Sequence, residues 1–377
     1  MNIKKESPHS IKRPLVLGGA LCASVLLALG VFFGVPELLS VSYVNEATST
    51  PIGSTSAPVL DTLDYDMRLL ALAHVATSSM WYEAFLSGAT TTRLSTATSS
   101  PLIAPLWPTR KAYPRYGALL PFNRIVAYYG NYYSTGMGIL GEYPEEEVLK
   151  RLREEVAAWE QADPSTPVVP AIEYIDVTAQ KSAGKDGKYR LRMPDSQIDK
   201  ALAMAKKIEG IVVLEIQVGL STVEEELPLL EHYLAMPQVH LALDPEFAMH
   251  GGVAPGRVIG TMSAEDINWA VRYLSNVVKV NNVPPKILIV HRFTEEMVTG
   301  YQRIEPSPEV QVVMNMDGWG FGAKKINTYN SVIYSEPVQF TGIKLFYKND
   351  LKPPSTALLT LQEILGLTPT PIYIQYQ

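Results

Sequence analysis

The residues best placed to do chemistry in this chain are acids that end short apolar runs: Glu173, Glu215, Asp244 and Asp317, with Glu246 two positions beyond Asp244 in Asp-Pro-Glu. Paired carboxylates are what cleavage of a glycosidic bond needs, one protonated as an acid and one ionised as base or nucleophile. Amide and basic side chains fall at equivalent places, namely Gln217, His291 with Arg292, Asn315, Lys344 and Gln375. Aromatic rings accompany them. Tyr128, Tyr129, Tyr132 and Tyr133 cluster at one run, Trp319 sits in Asp317-Gly-Trp-Gly-Phe-Gly, and Tyr347 and Tyr376 end two others; flat rings of this kind stack on apolar sugar faces. The segment Gly136-Met-Gly-Ile-Leu-Gly-Glu142 lacks the glycine spacing of a dinucleotide fingerprint and reads as a tight loop that brings backbone near a ligand, with Asn131 before it and Glu142 at its end.

The expected catalytic group is therefore Asp244, Glu246 and Asp317, supported by Glu173 and Glu215. The expected ligand contacts are Tyr128, Tyr129, Asn131, Glu142, Gln217, His291, Arg292, Asn315, Trp319, Lys344 and Gln375. Other chemistries fit less well. A metal set drawn from Glu173, Asp244, Glu246, His291 and Asp317 has no His-x-His or His-Glu-x-x-His behind it, so neither metal nor cofactor is expected. There is no Gly-x-Ser-x-Gly elbow, and the lone Cys22 lies in an apolar stretch near the N-terminus, which removes the commonest nucleophile schemes. A net charge of −6 and a pI near 5.6 leave no basic surface for nucleic acid.

The elements that must hold these side chains are eight β-rich runs, at 125–129, 168–173, 211–217, 239–244, 287–291, 310–317, 342–347 and 372–376, most of them separated by helix-like segments. Such alternation builds a parallel sheet, and eight units over roughly 250 residues imply closure into a (β/α)8 TIM barrel, an α/β fold whose chemistry lies at the C-terminal ends of its strands. Side chains alternate across a strand, and applying that parity places Glu173, Glu215, Gln217, Asp244, His291, Asn315, Asp317, Lys344 and Gln375 on the inner face. Helix starts are marked between the runs. Pro144 precedes Glu145, Glu146 and Glu147, Asp195 stands where a cap is needed, and Ser221-x-x-Glu224, Ser263-x-x-Asp266 and Thr360-x-x-Glu363 have capping-box spacing.

Upstream, Lys4, Lys5, Lys12 and Arg13 precede an uncharged apolar stretch long enough to span a bilayer, and the charge bias puts the larger, C-terminal part of the chain outside the cytoplasm. The stretch ends without a convincing small-residue cleavage site, so an uncleaved single-pass anchor is expected rather than a signal peptide. The chain divides into a basic tail at 1–14, a transmembrane anchor at 15–36, a Ser/Thr/Pro-rich stalk at 37–58, an accessory helix with a second such connection at 59–121, and the barrel at 122–377.

The motifs Ile125-Val-Ala-Tyr-Tyr-Gly-Asn-Tyr132, Met137-Gly-Ile-Leu-Gly-Glu142, Val239-His-Leu-Ala-Leu-Asp-Pro-Glu246 and Ile289-Val-His-Arg-Phe293 resemble those of an uncharacterised family of exported, membrane-anchored bacterial barrel proteins, some related to actinobacterial cell-wall lipoproteins. This chain lacks a usable lipobox, since Leu21 stands before Cys22. In broad shape the family resembles glycoside hydrolases, a likeness of fold that carries no chemistry; the carboxylates and aromatic rings are what point to a hydrolase of cell-envelope polysaccharide or, alternatively, an idle barrel that binds glycans or a partner. Neither nucleotide nor nucleic acid is implied.

Overall fold

The computed structural model describes residues 58–88 and 105–377. Nine strands hydrogen-bond into one sheet. One of them, Arg190–Arg192, is a short antiparallel addition to a neighbour's end, and the other eight run parallel. These are β1 Arg124–Gly130, β2 Val168–Ala179, β3 Ile211–Ile216, β4 Val239–Leu243, β5 Lys286–Arg292, β6 Val310–Met316, β7 Phe340–Leu345 and β8 Tyr373–Tyr376. Because β1 pairs with both β2 and β8, the parallel sheet closes into a barrel. The expected strands are all present. β2 runs on past Glu173 because its distal half keeps pairing with β3, across a register shift between Ile175 and Val177, and with Arg190–Arg192.

The apolar side chains segregate into two cores. Outside the barrel, Val126, Ile172, Leu214, Leu241, Val290, Val312, Ile343 and Ile374 meet the helices. Inside, at the N-terminal end, Ala127, Ala171, Val213, Ala242, Ile289 and Val313 fill the lumen, and Tyr65, Leu69, Leu70, Phe85 and Leu120 close it from below. Removing one such buried aliphatic side chain from water is worth roughly 1.5–3 kcal/mol. This plug leaves only the C-terminal end open.

The plug carries a correction. The single accessory helix expected in the 59–121 segment is two, α1 Thr62–Leu72 and α2 Met80–Leu86. Asp61 caps the first by accepting from the amides of Leu63 and Asp64, His74 takes a left-handed φ of 53° just after it, and Ser79 caps the second. The outer helices largely start as the caps predict. Helix α3, Glu145–Ala162, follows Pro144 with three acids in its first turn and buries Val148, Leu152 and Trp159. Ser263 and Asp266 form a reciprocal capping box for α5, Ala264–Asn281, as do Thr360 and Glu363 for α7, Leu361–Leu365. Two caps differ. In α4, Asp195–Lys206, Asp195 lies inside the first turn beside the N-cap Pro194, where its charge still suits the helix dipole. In the 221–226 segment Thr222, not Ser221, caps by accepting from the Glu225 amide, which frees Ser221 to donate to Glu225 and Glu226. Helix α6, Gly322–Thr328, follows the glycine-rich loop and passes into a π-helical turn at Tyr329–Tyr334.

Among the described residues no helix is long and apolar enough to cross a membrane. The anchor expected at 15–36, nearly all of the stalk expected at 37–58 and the first half, 89–104, of the second Ser/Thr/Pro-rich stretch lie outside the described residues.

Candidate active site

Parity decides which side chains reach the open end. Along β5, Ile287, Ile289 and His291 face the lumen while Leu288 and Val290 join the outer core. The same alternation sends Glu173, Glu215, Asn315, Lys344 and Gln375 inward above the apolar plug, in register: His291 lies beside Asn315 and Lys344 beside Gln375. Above them opens a cavity of about 440 Å³ lined by Tyr129, Gln217, Asp244, Glu246, Asp317, Trp319 and Lys344. The two carboxyls of Asp244-Pro-Glu246 are oriented locally, because Asp244 Oδ1 accepts the Glu246 amide at 3.0 Å and starts a short 3-10 turn.

His291 is the hub. It is fully buried, its Nε2 lies 3.1 Å from Glu173 Oε1 and 3.3 Å from Glu215 Oε2, and its Nδ1 lies 3.1 Å from Asp317 Oδ2. Burial opposes its charge, yet hydrogen bonds to Asp317, Glu173 and Glu215 hold its pKa well above the ordinary value, so both ring nitrogens donate. Each acid is held a second time. Glu173 accepts from Tyr373 and Gln375, and Glu215 Oε1 accepts from Tyr129 at 3.0 Å and Gln217 at 2.7 Å. Asn315 donates to Gln375 Oε1 at 3.1 Å, which fixes that amide for Glu173. Lys344 lies 3.5 Å from Asp317 Oδ2 and 3.6 Å from the centre of the Tyr129 ring.

The electrostatics separate the acids. Five carboxyls (Glu173, Glu215, Asp244, Glu246, Asp317) face two cations (His291, Lys344), an excess of three if all were ionised. Partial burial pushes the pKa of Asp317 up, but Lys344 and His291 outweigh that and hold it below the usual carboxylate value. Among the described residues no cation pairs with Asp244 or Glu246. Burial and the nearby Glu215 charge keep Asp244 well above its ordinary value; burial and the Asp317 charge push Glu246 up to about 7. The cavity thus holds an ionised acid and a proton-carrying one near neutral pH.

The sequence-derived contacts do not all converge here. Glu173 and Glu215 sit beneath the cavity rather than on its wall, since both are wholly buried around His291. Tyr128 points outward: its hydroxyl meets that of Tyr347 at 3.1 Å, and Tyr376 packs on both rings. Arg292, next to His291, also points outward and pairs with Glu336 at 2.7 Å. Asn131 donates to the Ile175 carbonyl at 2.9 Å and shapes the β1 loop. Glu142 pairs with Lys348 at 2.6 Å in a neighbouring cavity of about 320 Å³. Tyr132 stacks on Tyr174 with centroids 4.8 Å apart, and Tyr133 is exposed. The glycine loop packs tightly on β1, because a side chain at Gly138, whose φ is +123°, would meet the Tyr129 carbonyl, and its Gly136 and Met137 line the cavity. Met137, Phe247, Phe293, Lys324, Phe346 and Gln377 also line the cavity; Phe293, Phe346 and Gln377 continue the inward parity of His291, Lys344 and Gln375, whereas Met137 and Phe247 stand in a loop and a turn and Lys324 on α6, where strand parity gives no guide.

For a metal, Nε2 of His291 and the carboxylate oxygens of Glu173 and Glu215 lie within 4.8 Å of one another. That is a ligand set a divalent ion could use only by replacing the Nε2 proton. The raised pKa of His291 favours the proton, which already serves both carboxylates.

No family model matches this chain, so the expected kinship with exported lipoprotein-related barrels gains no support from that quarter. No curated protein matches either. Similar solved structures include a tri-modular GH5 (subfamily 4) endo-β-1,4-glucanase from Bacillus licheniformis complexed with cellotetraose, at 13% identity and a TM-score of 0.35, covering 69% of this chain and 54% of that one. A Bacillus subtilis mannanase has 12% identity and a TM-score of 0.37, covering 68% and 79%. A broad-specificity GH5-4 endoglucanase from an uncultured bacterium gives 8% identity and a TM-score of 0.32, covering 61% and 76%. This chain spans about half the length of the first of these. Likeness at this level says nothing of chemistry, and the barrel itself stands on the strand pairings above.

Proposed function

We propose that this barrel is a hydrolase of cell-envelope polysaccharide. The observation that carries the reading is the opposed displacement of two carboxyls in one cavity: Glu246 raised to about 7 and Asp317 held below its ordinary value. Environments that push two acids apart assign their roles. Glu246 donates the proton to the departing glycosidic oxygen. Asp317 stays ionised, as nucleophile or as base toward water, because Lys344 and His291 neutralise it. Asp244 sets the Glu246 backbone, Glu173 and Glu215 keep His291 charged, and Tyr129, Gln217 and Trp319 offer the sugar a ring, an amide and a second ring. The apolar stretch at 15–36 would hold the domain at the outer face of the cell membrane.

The test is a hydrolysis screen of the full chain in detergent against cell-wall glycans, beside Glu246→Gln and Asp317→Asn. Turnover that falls by about 10²–10⁴ in either variant is the expected result, the usual contribution of a positioned acid or base. Binding with no turnover in all three proteins would leave an idle glycan-binding barrel, and no response to any glycan would overturn the sugar reading.

A further inference from the structure

Around the mouth of the barrel the sign of the charge reverses. Inside, acids outnumber cations; on the rim after β6 and β7 stand Lys324, Lys348 and Lys352, all exposed. Lys348 is paired with Glu142. Lys324 and Lys352 each place Nζ 5.0 Å from the centre of the Trp319 ring, and among the described residues no carboxylate lies within ion-pair distance of either. The indole is 48% exposed and, with Lys324, lines the cavity. It is nevertheless on a fixed loop. Lys325, buried, donates to the Gly318 carbonyl at 2.8 Å and pairs with the buried Asp350 at 3.1 Å, while Asp350 accepts the Gly320 amide at 2.8 Å. Both neighbours of Trp319 are therefore held to the barrel wall.

We propose that Trp319, Lys324 and Lys352 form a rim subsite for a sugar unit that carries a carboxylate, so that the glycan entering the cavity is an acid-bearing one. This deepens the glycan reading and rests on it. A pyranose laid on the indole gains the stacking that a fixed, half-exposed ring offers. A carboxylate on that sugar draws the two ammonium groups off the ring, because a charge-assisted hydrogen bond is stronger than an exposed cation–π contact. Deeper in the cavity the same carboxylate finds no free cation among the described residues, because Lys344 and His291 are already committed to Asp317, Glu173 and Glu215. The charged unit is thereby sorted to the rim and the bond to be cut lies toward Glu246.

The experiment compares binding, not turnover. Hexagalacturonate and its fully methyl-esterified form are titrated into the full chain in detergent, wild type and a Lys324→Gln/Lys352→Gln double variant, at low and high salt. The substituted side chains are exposed, so folding is not at risk. The acid should bind about tenfold tighter than the ester at low salt, equivalent to about 1.4 kcal/mol. That preference should shrink at high salt and vanish in the double variant, with affinity for the ester unchanged. Equal affinities in wild type, or a preference kept by the double variant, would overturn the rim subsite and leave the glycan reading standing. Binding of neither probe would overturn the rim subsite and leave the glycan reading to the hydrolysis screen, and an acid preference in a chain that cleaves no glycan would keep the subsite while the hydrolase reading falls.

Discussion

Two histidines face the lumen of this barrel, both buried, and they are in opposite charge states. His240 lies low in the barrel, where Nδ1 accepts the Ile287 amide at 3.0 Å; burial, with the Lys286 ammonium adding to it, pushes its pKa well below the ordinary 6.5. His291 lies one layer below the mouth, among three carboxylates, and its pKa stands well above 6.5. Burial alone leaves an imidazole neutral. Charge inside this barrel exists where acids were first collected, and that happens only above the apolar plug.

The largest test of this contrast is His291→Gln. Removing the shared cation leaves Glu173, Glu215 and Asp317 facing one another, with Lys344 near only the last. Breaking a buried ion pair by deleting one partner costs about 3–5 kcal/mol, and urea unfolding at pH 7.5 should show a loss of that size. A change below about 1 kcal/mol would mean that these acids are already neutral in the folded chain, and the contrast with His240 would collapse.

A smaller effect belongs to Glu246. Its pKa rises from 4.5 in the unfolded chain to about 7 in the folded one. Between those values the folded chain holds a proton that the unfolded chain has released, so stability is full below about 4.5 and declines as pH rises through about 7. The full decline is on the order of 3 kcal/mol. In Glu246→Gln this segment of the pH–stability curve should flatten. Asp176, buried beside Asp195 and Glu226 and also raised to about 7, should leave a similar decline in place, and a curve unchanged by the Glu246 substitution would assign all of it to Asp176.

Much of this mouth was legible because strand parity is a strict period of two. Once β5 is placed, His291 must share a face with Ile287 and Ile289, and the same count brings in Glu173, Glu215, Gln217, Asp244, Asn315, Asp317, Lys344 and Gln375. The misplacements come from suspending that count. Tyr128 and Arg292 each neighbour an inward residue, Tyr129 and His291, so both had to point at the helices, as they do. Phe247, in the turn after β4, and Lys324, on α6, follow no strand period, and only the folded backbone brings them to the cavity. Arg292→Met tests the distinction. It should cost about 2 kcal/mol, less than a wholly buried pair because Glu336 keeps some water, while glycan binding stays at the wild-type value. A loss of binding without a loss of stability would return Arg292 to the site.

The smallest expected effect, and the one that best sharpens the comparison, is His240→Leu. At pH 7.5 the substitution removes only the acceptor for the Ile287 amide, a cost of about 1 kcal/mol once the leucine fills the space. Below pH 6.5 the balance changes sign. The unfolded chain there takes up a proton on His240 that the folded chain refuses, because the folded pKa lies well below 6.5. Wild-type stability therefore loses about 1.4 kcal/mol per pH unit of acidification from this residue, and the leucine variant loses none of it. At pH 5 the variant should match or exceed the wild type. His291→Gln should tilt the curve the other way: the folded chain keeps a proton on His291 that the unfolded chain gives up above 6.5, so the wild type loses stability on the alkaline side and the variant does not. Unfolding curves at pH 5, 6.5 and 8 for the two variants should therefore bend in opposite directions, and parallel curves would mean that the two imidazoles carry the same charge after all.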